Sequence, residues 1–390
     1  MDEKELVPIQ QDDDKCFYKQ VADLLAVARK YAKKQIDSTI VMTYYEIGRM
    51  IVEREQQGQK RAQYGTKLIK GLSEYLTAQY GKGFSVVNLK SIRKFYQVYT
   101  PSIQQMMLVE AQKGQTPSAQ FEKNDTIMSV FDPTMQKGQT PSAQFKLTWS
   151  HYQILMRIEN NNVRRFYEIE TANQQWSVKQ LQRQVGSSLY ERLALSRDKD
   201  KVMALANEGQ IVEKPRDLFK SPYVLEFTGL EERPIYSESE LEQALIDNLQ
   251  KFLLELGKGF LFEARQKRFS FEEKSFYVDL VFYNRLLHCY VLIDLKTGEL
   301  KHQDLGQMQM YVHYFDRYVK TKDEHPTVGI LLCQEKDDAI VELTLSEKEN
   351  IYASEYRLYL PDKALLQSKL AEWVETFEEE QNLLNGNNGK

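Results

Sequence analysis

The sequence predicts an α+β or α/β chain with an all-helical N-terminal domain and a mixed-sheet C-terminal domain. Three observations predict this division. Apolar residues recur at three- and four-residue spacing over most of the first 200 positions, as in amphipathic helices. After residue 236, apolar segments of strand length alternate with helical segments. Between the two patterns, residues 197–235 change in character and contain three prolines.

The composition is typical of a globular protein. Of the 390 residues, 42% are apolar and 28% are charged. No apolar run reaches the roughly 18 residues that a membrane span needs, and the acidic start lacks the pattern of a secretory signal. Three scattered cysteines favour neither a disulfide framework nor a zinc site. We therefore expect a cytoplasmic protein without a membrane partner.

The N-terminal half has the outline of a helix-turn-helix. A helical pattern covers 17–36 and continues over 39–57, and another helix is predicted to end near Tyr80. The segment Gly81-Lys82-Gly83 predicts a tight turn, and Ser85 is a suitable N-cap for the following helix. A short helix, a glycine turn and a second helix are typical of DNA-binding units.

The second of these helices is basic. Positions 60–100 contain eight basic residues and one acidic residue. A basic patch of this kind is typical of nucleic-acid contact, for which Lys90, Arg93 and Lys94 are the candidates. A plain helical hairpin with a solvated basic face gives the same pattern, so both interpretations stay open.

A ten-residue segment, QKGQTPSAQF, occurs at 112–121 and again at 136–145. Two copies are too few for a solenoid, and their glycine, proline and serine content is typical of a loop, so we interpret 112–145 as a duplicated linker. The predicted domain limits are a helical domain at 1–215, a linker at 216–236, a C-terminal domain at 237–381 and a disordered tail at 382–390.

The sequence predicts the order α-β-β-β-α-β for the C-terminal domain. A helix with an acidic first turn is predicted at 237–257, and a second helix at 302–319. The predicted strands are 260–269, 275–284, 288–297 and 327–334. The first three strands form a meander, because short turns connect them.

Two of these strands contain an aspartate among apolar residues. Side chains alternate along a strand, so Asp294 and Lys296 share one face of the third strand. If the second and third strands pair antiparallel around the turn at 284–287, Asp279 lies near Asp294. Two neighbouring carboxylates raise each other's pKa unless a cation joins them. The pattern therefore indicates a site for a hard divalent ion, which carboxylates and a backbone carbonyl can bind.

These residues, in this order of helices and strands, resemble the PD-(D/E)XK nuclease superfamily. Gln307 and Tyr311 on the next helix resemble the QxxxY element of RecB-like members. Nearly the whole chain resembles the YhcG-like family, which joins a helical domain of unknown function to a nuclease domain. Segments that carry this resemblance include YYEIGRMIVEREQ, LTWSHYQILMRIEN and ELEQALIDNLQKFLLELGKGF. Two positions depart from the superfamily pattern: Val278 replaces a proline, and Asp294 stands where many members have glutamate.

The resemblance implies a Mg²⁺- or Mn²⁺-dependent endonuclease that acts on DNA. Asp279, Asp294 and the carbonyl of Leu295 would bind the metal, and Lys296 would position or help to activate the attacking water. Glu242 on the preceding helix is the candidate for a further catalytic carboxylate, and Glu240 is its rival. Gln307 and Tyr311 would support Lys296 or contact the DNA backbone.

Several alternatives stay open. Arg265, Lys267 and Arg268 would bind phosphates, or they form an exposed, charged strand end. The chain is a nuclease, or it is a non-catalytic module that binds DNA or protein on a nuclease scaffold. A homodimer is compatible with cutting both strands, although no segment specifies one.

Overall fold

The chain folds into two compact units, Met1–Asn160 and Asn161–Lys390. The computed structural model describes residues 10–57, 62–112, 145–196, 202–220, 222–230, 236–271, 273–345, 349–368 and 370. Most of the duplicated linker and the predicted tail at 382–390 lie outside the described residues. Among the helices that the structure describes, none is both long enough and apolar enough to cross a membrane.

The first unit is helical. Its described helices are α1 (Gln10–Gln57), α2 (Ala62–Tyr80), α3 (Val86–Gln112) and α4 (Trp149–Leu155). The helical pattern predicted over 17–36 and 39–57 is one continuous helix. Thr39 Oγ1 donates to Gln35 O at 2.8 Å, and Thr43 Oγ1 donates to Thr39 O at 2.8 Å. These hydroxyls bond back to the preceding turn, so they do not interrupt α1.

The turn between α2 and α3 depends on two glycines. Gly81 and Gly83 have φ angles of 79° and 124°, a region that glycine enters without steric strain. Ser85 Oγ accepts a hydrogen bond from Asn88 N at 3.3 Å, so α3 begins at the predicted cap. The helices enclose a small core whose buried members are Ile51, Ile69, Leu89 and Ile92.

The second unit begins with further helices. They are α5 (Asn161–Gln174), α6 (Val178–Gly186), α7 (Leu189–Leu195) and α8 (Val202–Glu208). Ser177 and Gln180 form a capping box, with Ser177 N donating to Gln180 Oε1 at 2.8 Å. These helices belong to the same compact unit as the sheet described next.

A six-stranded mixed sheet forms the centre of the second unit. Its strands are β1 (Tyr223–Val224), β2 (Phe260–Phe271), β3 (Lys274–Asn284), β4 (Cys289–Leu295), β5 (Val328–Cys333) and β6 (Ile351–Arg357). Their spatial order is β1-β6-β5-β4-β3-β2. Strands β2, β3 and β4 pair antiparallel, and β4, β5, β6 and β1 pair parallel. The predicted meander and the predicted fourth strand are confirmed, and the structure shows that this fourth strand pairs parallel with β4.

The edge of this sheet differs from the expected linker at 216–236. That segment contains β1, because Tyr223 and Val224 pair with Tyr356 and Arg357 of β6. Neither β1 nor β6 was predicted from the sequence. The predicted domain limits at 215 and 237 stay a prediction.

Helices cover both faces of the sheet. They are α9 (Glu238–Asp247), α10 (Leu249–Leu256), α11 (His302–Tyr314), followed by a π-helical turn (Phe315–Val319), and α12 (Asp338–Thr344). The single helix predicted at 237–257 is two helices, since Asn248 leaves helical geometry with φ −113° and ψ 28°. Val291, Ile293 and Leu295 pack in the core formed with α9 and α10. Leu292 packs in the core formed with α11, so by alternation Asp294 lies on that second face.

One glycine sets the distance between α11 and the sheet. A Cβ at Gly329 of β5 would lie 2.7 Å from Met308 Cγ and 3.1 Å from Val312 Cγ2. The missing side chain lets α11 lie close to the central strands. This close packing places Gln307 and Tyr311 beside the end of β4.

Candidate active site

Asp279 and Asp294 face each other across the β3–β4 hairpin. The ladder between these strands pairs Leu280 with Ile293. One further step in this antiparallel register puts Asp279 opposite Asp294. Leu295 N also donates to Asp279 Oδ2 at 2.8 Å, which fixes the Asp279 carboxylate at the end of β4. The structure thus brings together the two acids that the sequence analysis paired.

Asp294 is a buried carboxylate with too few partners. Its side chain is 4% exposed, and Oδ2 lies 2.8 Å from Lys296 Nζ. Within the described part of the chain, this oxygen nevertheless accepts no well-aligned hydrogen bond. Burial, followed by the charge of Asp279, raises the pKa of Asp294 from 3.8 to about 7. Lys296 offsets a part of this effect.

Lys296 follows directly after β4 and contacts two acids. Its Nζ lies 2.8 Å from Asp294 Oδ2 and 3.7 Å from Glu238 Oε2. Burial on its own lowers the pKa of Lys296, but the Asp294 carboxylate outweighs it and holds this pKa above its usual range. Lys296 therefore stays protonated at neutral pH and acts as a fixed cation.

The two candidate carboxylates of α9 have different surroundings. Glu240 is exposed, and its Oε2 accepts hydrogen bonds from Ser237 N and Oγ at 2.7 Å and 2.9 Å. These bonds belong to the N-terminal cap of α9, and they lower the pKa of Glu240. Glu242 is buried, and its Oε2 accepts from Gln266, which also contacts Asp279. The geometry thus links Glu242, and not Glu240, to Asp279 through the Gln266 amide.

Helix α11 brings a glutamine and a tyrosine to the same region. Gln307 Nε2 donates to the hydroxyl of Tyr311, four residues further along the same face of the helix. Tyr311 is buried, and burial raises the pKa of its hydroxyl. Asp294 and Asp279 act in the same direction, so the hydroxyl lies within electrostatic reach of both acids.

The basic residues predicted for nucleic-acid contact on β2 are engaged with the protein's own side chains. Arg265 Nε forms an ion pair with Glu242. Lys267 Nζ lies 3.1 Å from Glu263 Oε1. Arg268 donates to a serine hydroxyl across the hairpin at 2.9 Å. A phosphate would have to compete with these contacts.

The three candidates on α3 differ from one another in their surroundings. Arg93 Nη1 lies 2.9 Å from Glu55 Oε1 of α1, an ion pair within the helical packing. Lys90 and Lys94 are exposed one turn apart, and within the described residues neither belongs to an ion pair. These two lysines are therefore the cations of α3 that are available to a partner.

The donor set fits a divalent ion that is bound mainly by solvent and two carboxylates. Among the residues that the structure describes, no three His, Cys, Asp or Glu side chains converge on one metal position. Mg²⁺, however, is commonly held by one or two carboxylates together with waters and substrate phosphates. The buried Oδ2 of Asp294, paired with Lys296 and lying beside the Asp279 carboxylate, is compatible with such a site.

Sequence reasoning missed two residues of this region. Glu238 stands in the first turn of α9, where acids are common for helix stability, so its approach to Lys296 gave no distinct signal. Gln266 lies within β2 and has a positive φ of 47°. Nothing in the residue type or spacing indicates that conformation.

A mixed sheet with two aspartates and a lysine at its central hairpin, flanked by α9 and α11, defines a nuclease domain of the PD-(D/E)XK type. The family described as YhcG PDDEXK nuclease domain matches residues 216–371. The DUF1016 N-terminal domain matches residues 20–192. The chain belongs to this family of two-domain proteins.

A curated relative and two solved structures extend the comparison. The YhcG protein of Escherichia coli (strain K12) is 39% identical over 371 residues, which cover 93% of this chain and 96% of the relative. A repair endonuclease from Pyrococcus abyssi matches at 21% identity and a TM-score of 0.23. EndoMS in complex with double-stranded DNA matches at 18% identity and a TM-score of 0.24. Each structural match covers 34% of this chain and 50% of the other chain.

Proposed function

We propose that this chain is a Mg²⁺- or Mn²⁺-dependent deoxyribonuclease that cuts within DNA. The observation that carries the proposal is the buried, poorly satisfied Oδ2 of Asp294 next to the Asp279 carboxylate. A divalent cation stabilises such a pair, because the pair has more negative charge than its protein partners offset. Membership of a nuclease-domain family supports the same reaction.

The roles of the central residues follow from their positions. Asp279 and Asp294 would hold the ion, with the carbonyl of Leu295 as a further ligand. A bound divalent ion would polarise the scissile phosphate and lower the pKa of its water. Lys296 keeps its proton beside Asp294, so it would offset phosphate charge and orient the water instead of removing a proton from it.

The neighbouring residues would support this arrangement. Glu242 would act from α9 as a further carboxylate toward the metal or its water. The Gln266 amide, which donates to both Glu242 and Asp279, links it to the site. Tyr311, held by Gln307, would orient Lys296 or contact the DNA backbone from α11.

The test is cleavage of supercoiled plasmid with Mg²⁺ or Mn²⁺ by wild type, Asp294→Asn and Lys296→Ala. We expect each substitution to reduce the cutting rate at least about 100-fold, because each removes charge at the reacting phosphate or its metal. The matched controls are Asp338→Asn and Lys336→Ala. Lys336 Nζ lies 2.6 Å from Asp338 Oδ1, and the Asp338 side chain is 75% exposed, so these variants break an exposed ion pair of the same residue types. Both controls should cut like wild type.

Two outcomes would contradict the proposal. Equal cutting by wild type and both site variants would remove Asp294 and Lys296 from the chemistry. If purified wild type cuts neither DNA nor RNA, in single- or double-stranded form, the non-catalytic binding module becomes the better account of this fold.

We further propose that the helical unit binds DNA through Lys90 and Lys94. Their exposure one turn apart on α3, with no acid paired to them in the described chain, supports this role. The double variant Lys90→Ala/Lys94→Ala should bind duplex DNA more weakly. The slope of log K against log salt is negative, and its magnitude should decrease by roughly 1.8, which corresponds to two lost phosphate contacts.

Fluorescence anisotropy with a labelled duplex at several salt concentrations measures this slope. Lys19→Ala/Lys33→Ala on α1 is the matched control, since both lysines are exposed on the same unit. An unchanged slope in the α3 variant, or an equal decrease in the control, would show that α3 is not a specific contact surface.

A further inference from the structure

Gln266 interrupts the regular backbone of β2. Its φ of 47° lies in the left-handed region, which costs a residue other than glycine about 1–3 kcal/mol. The neighbours on either side remain in the ladder, with Arg265 opposite Leu280 and Lys267 opposite Val278. The irregular conformation is thus confined to one residue, and it redirects that side chain.

The redirected amide bridges two carboxylates from different elements. Gln266 Nε2 donates to Asp279 Oδ1 on β3 at 3.0 Å, and it also donates to Glu242 Oε2 on α9. Both partners are acceptors, so the amide nitrogen must face them. Strain that persists at such a point is compensated by the contacts it makes possible.

The remaining oxygens of these carboxylates are also bound. Asp279 Oδ2 accepts from Leu295 N at 2.8 Å, and Glu242 Oε1 accepts from Arg265. Each carboxylate is therefore held at both oxygens, and Gln266 is the group that links the two. A lysine at this point would neutralise the acids and oppose a metal ion, whereas a neutral amide supplies N–H groups without positive charge.

We propose that Gln266 is a positioning residue for the proposed metal ligand Asp279 and for the further carboxylate Glu242. It holds Asp279 and Glu242 at a fixed separation before the ion binds, so less reorganisation is needed when the ion arrives. This assignment rests on the proposed metal-dependent nuclease function. Gln266 acts through the two acids and does not itself contact the substrate.

The experiment measures Mn²⁺ binding to the full chain by isothermal titration calorimetry. We expect Gln266→Ala and Gln266→Gly to weaken Mn²⁺ binding by about 10–100-fold, the usual effect of removing a group that orients a metal ligand. Glycine tolerates the left-handed backbone, so it removes the amide without adding strain and serves where the alanine variant folds poorly.

The control is Gln309→Ala on α11. Gln309 Nε2 also donates to a carboxylate, with 3.0 Å and 3.2 Å to the oxygens of Glu349, but it does not contact Asp279 or Glu242. The Gln309→Ala variant should bind Mn²⁺ like wild type. In cleavage assays, Gln266→Gly should need about 10–100-fold more Mn²⁺ for half-maximal rate. Its rate at saturating Mn²⁺ should approach that of wild type.

The outcomes separate this inference from the proposed function. A folded Gln266→Gly variant that binds Mn²⁺ as tightly as wild type overturns the positioning role, whatever its activity. If wild type binds Mn²⁺ and Gln266→Gly binds it weakly, but neither cuts nucleic acid, the positioning role stands and the nuclease proposal fails. If wild type binds no Mn²⁺ in the absence of DNA, the positioning role is wrong, and the cleavage assay alone decides the nuclease proposal.

Discussion

Glu255 and Asp294 are both buried carboxylates of the second unit, but their surroundings are opposite. Glu255 lies 2.5 Å from Arg192 Nη1 and 3.1 Å from Arg183 Nη1. Burial alone would raise the pKa of Glu255, but three nearby cations, Arg192 foremost, lower it to about 2. Lys220 completes this group by donating to the Glu255 carbonyl. Glu255 is therefore charged and fully satisfied.

Asp294 shows the other extreme. It has one close cation, Lys296, and a neighbouring acid, Asp279, and its pKa is raised to about 7. A buried charge without enough partners lowers stability. Glu255 is surrounded by donors and stabilises the fold. Asp294 has fewer donors and is therefore able to bind a cation.

The largest effect is expected at the saturated site. Glu255→Gln keeps the shape of the side chain but leaves the fully buried Arg192 without its counter-charge. We expect a loss of about 3–5 kcal/mol in unfolding free energy, as for other broken buried ion pairs. Hydrogen exchange of the β4 and β5 amides measures this loss for the second unit alone.

Glu226→Gln is the matched control. Glu226 also binds Arg183, at 2.9 Å, but its side chain is 21% exposed. The Glu226→Gln substitution should lower the unfolding free energy by no more than about 1 kcal/mol. Equal losses in the two variants would show that burial does not distinguish Glu255, and the comparison with Asp294 would lose its basis.

The sequence predicted the part of the site that depends on local pattern. Asp279, Asp294 and Lys296 lie on two strands joined by a short turn, so side-chain alternation and hairpin pairing were enough to bring them together. The helix before the hairpin and α11 after it were likewise visible from apolar spacing.

The missed contacts depend on long-range packing or on backbone geometry. Arg192 and Glu255 are 63 positions apart, and no periodicity relates residues on two separate helices. Strand β1 has two residues, which is too short for an alternating pattern to appear. The bridge from Gln266 requires a positive φ that a glutamine does not predict.

A smaller effect, of opposite sign, is expected at the poorly satisfied site. Without metal and at about pH 8, Asp294→Asn should raise the unfolding free energy by about 1–3 kcal/mol, because it removes a desolvated charge next to Asp279. The lost ion pair with Lys296 reduces the gain. Urea unfolding in EDTA, followed by exchange of the β4 and β5 amides, measures the difference from wild type.

The pH dependence of this difference provides its control. The folded-state pKa of Asp294, about 7, lies above the ordinary 3.8, so the folded protein binds the additional proton between these values. Wild type should therefore gain stability relative to Asp294→Asn as the pH falls from about 7 to about 4. Glu255 has a folded-state pKa of about 2, below the ordinary 4.5, so its contribution is lost only as the pH falls through that lower range. If the difference between wild type and Asp294→Asn is the same at pH 8 and pH 4.5, Asp294 is not a carboxylate left short of partners.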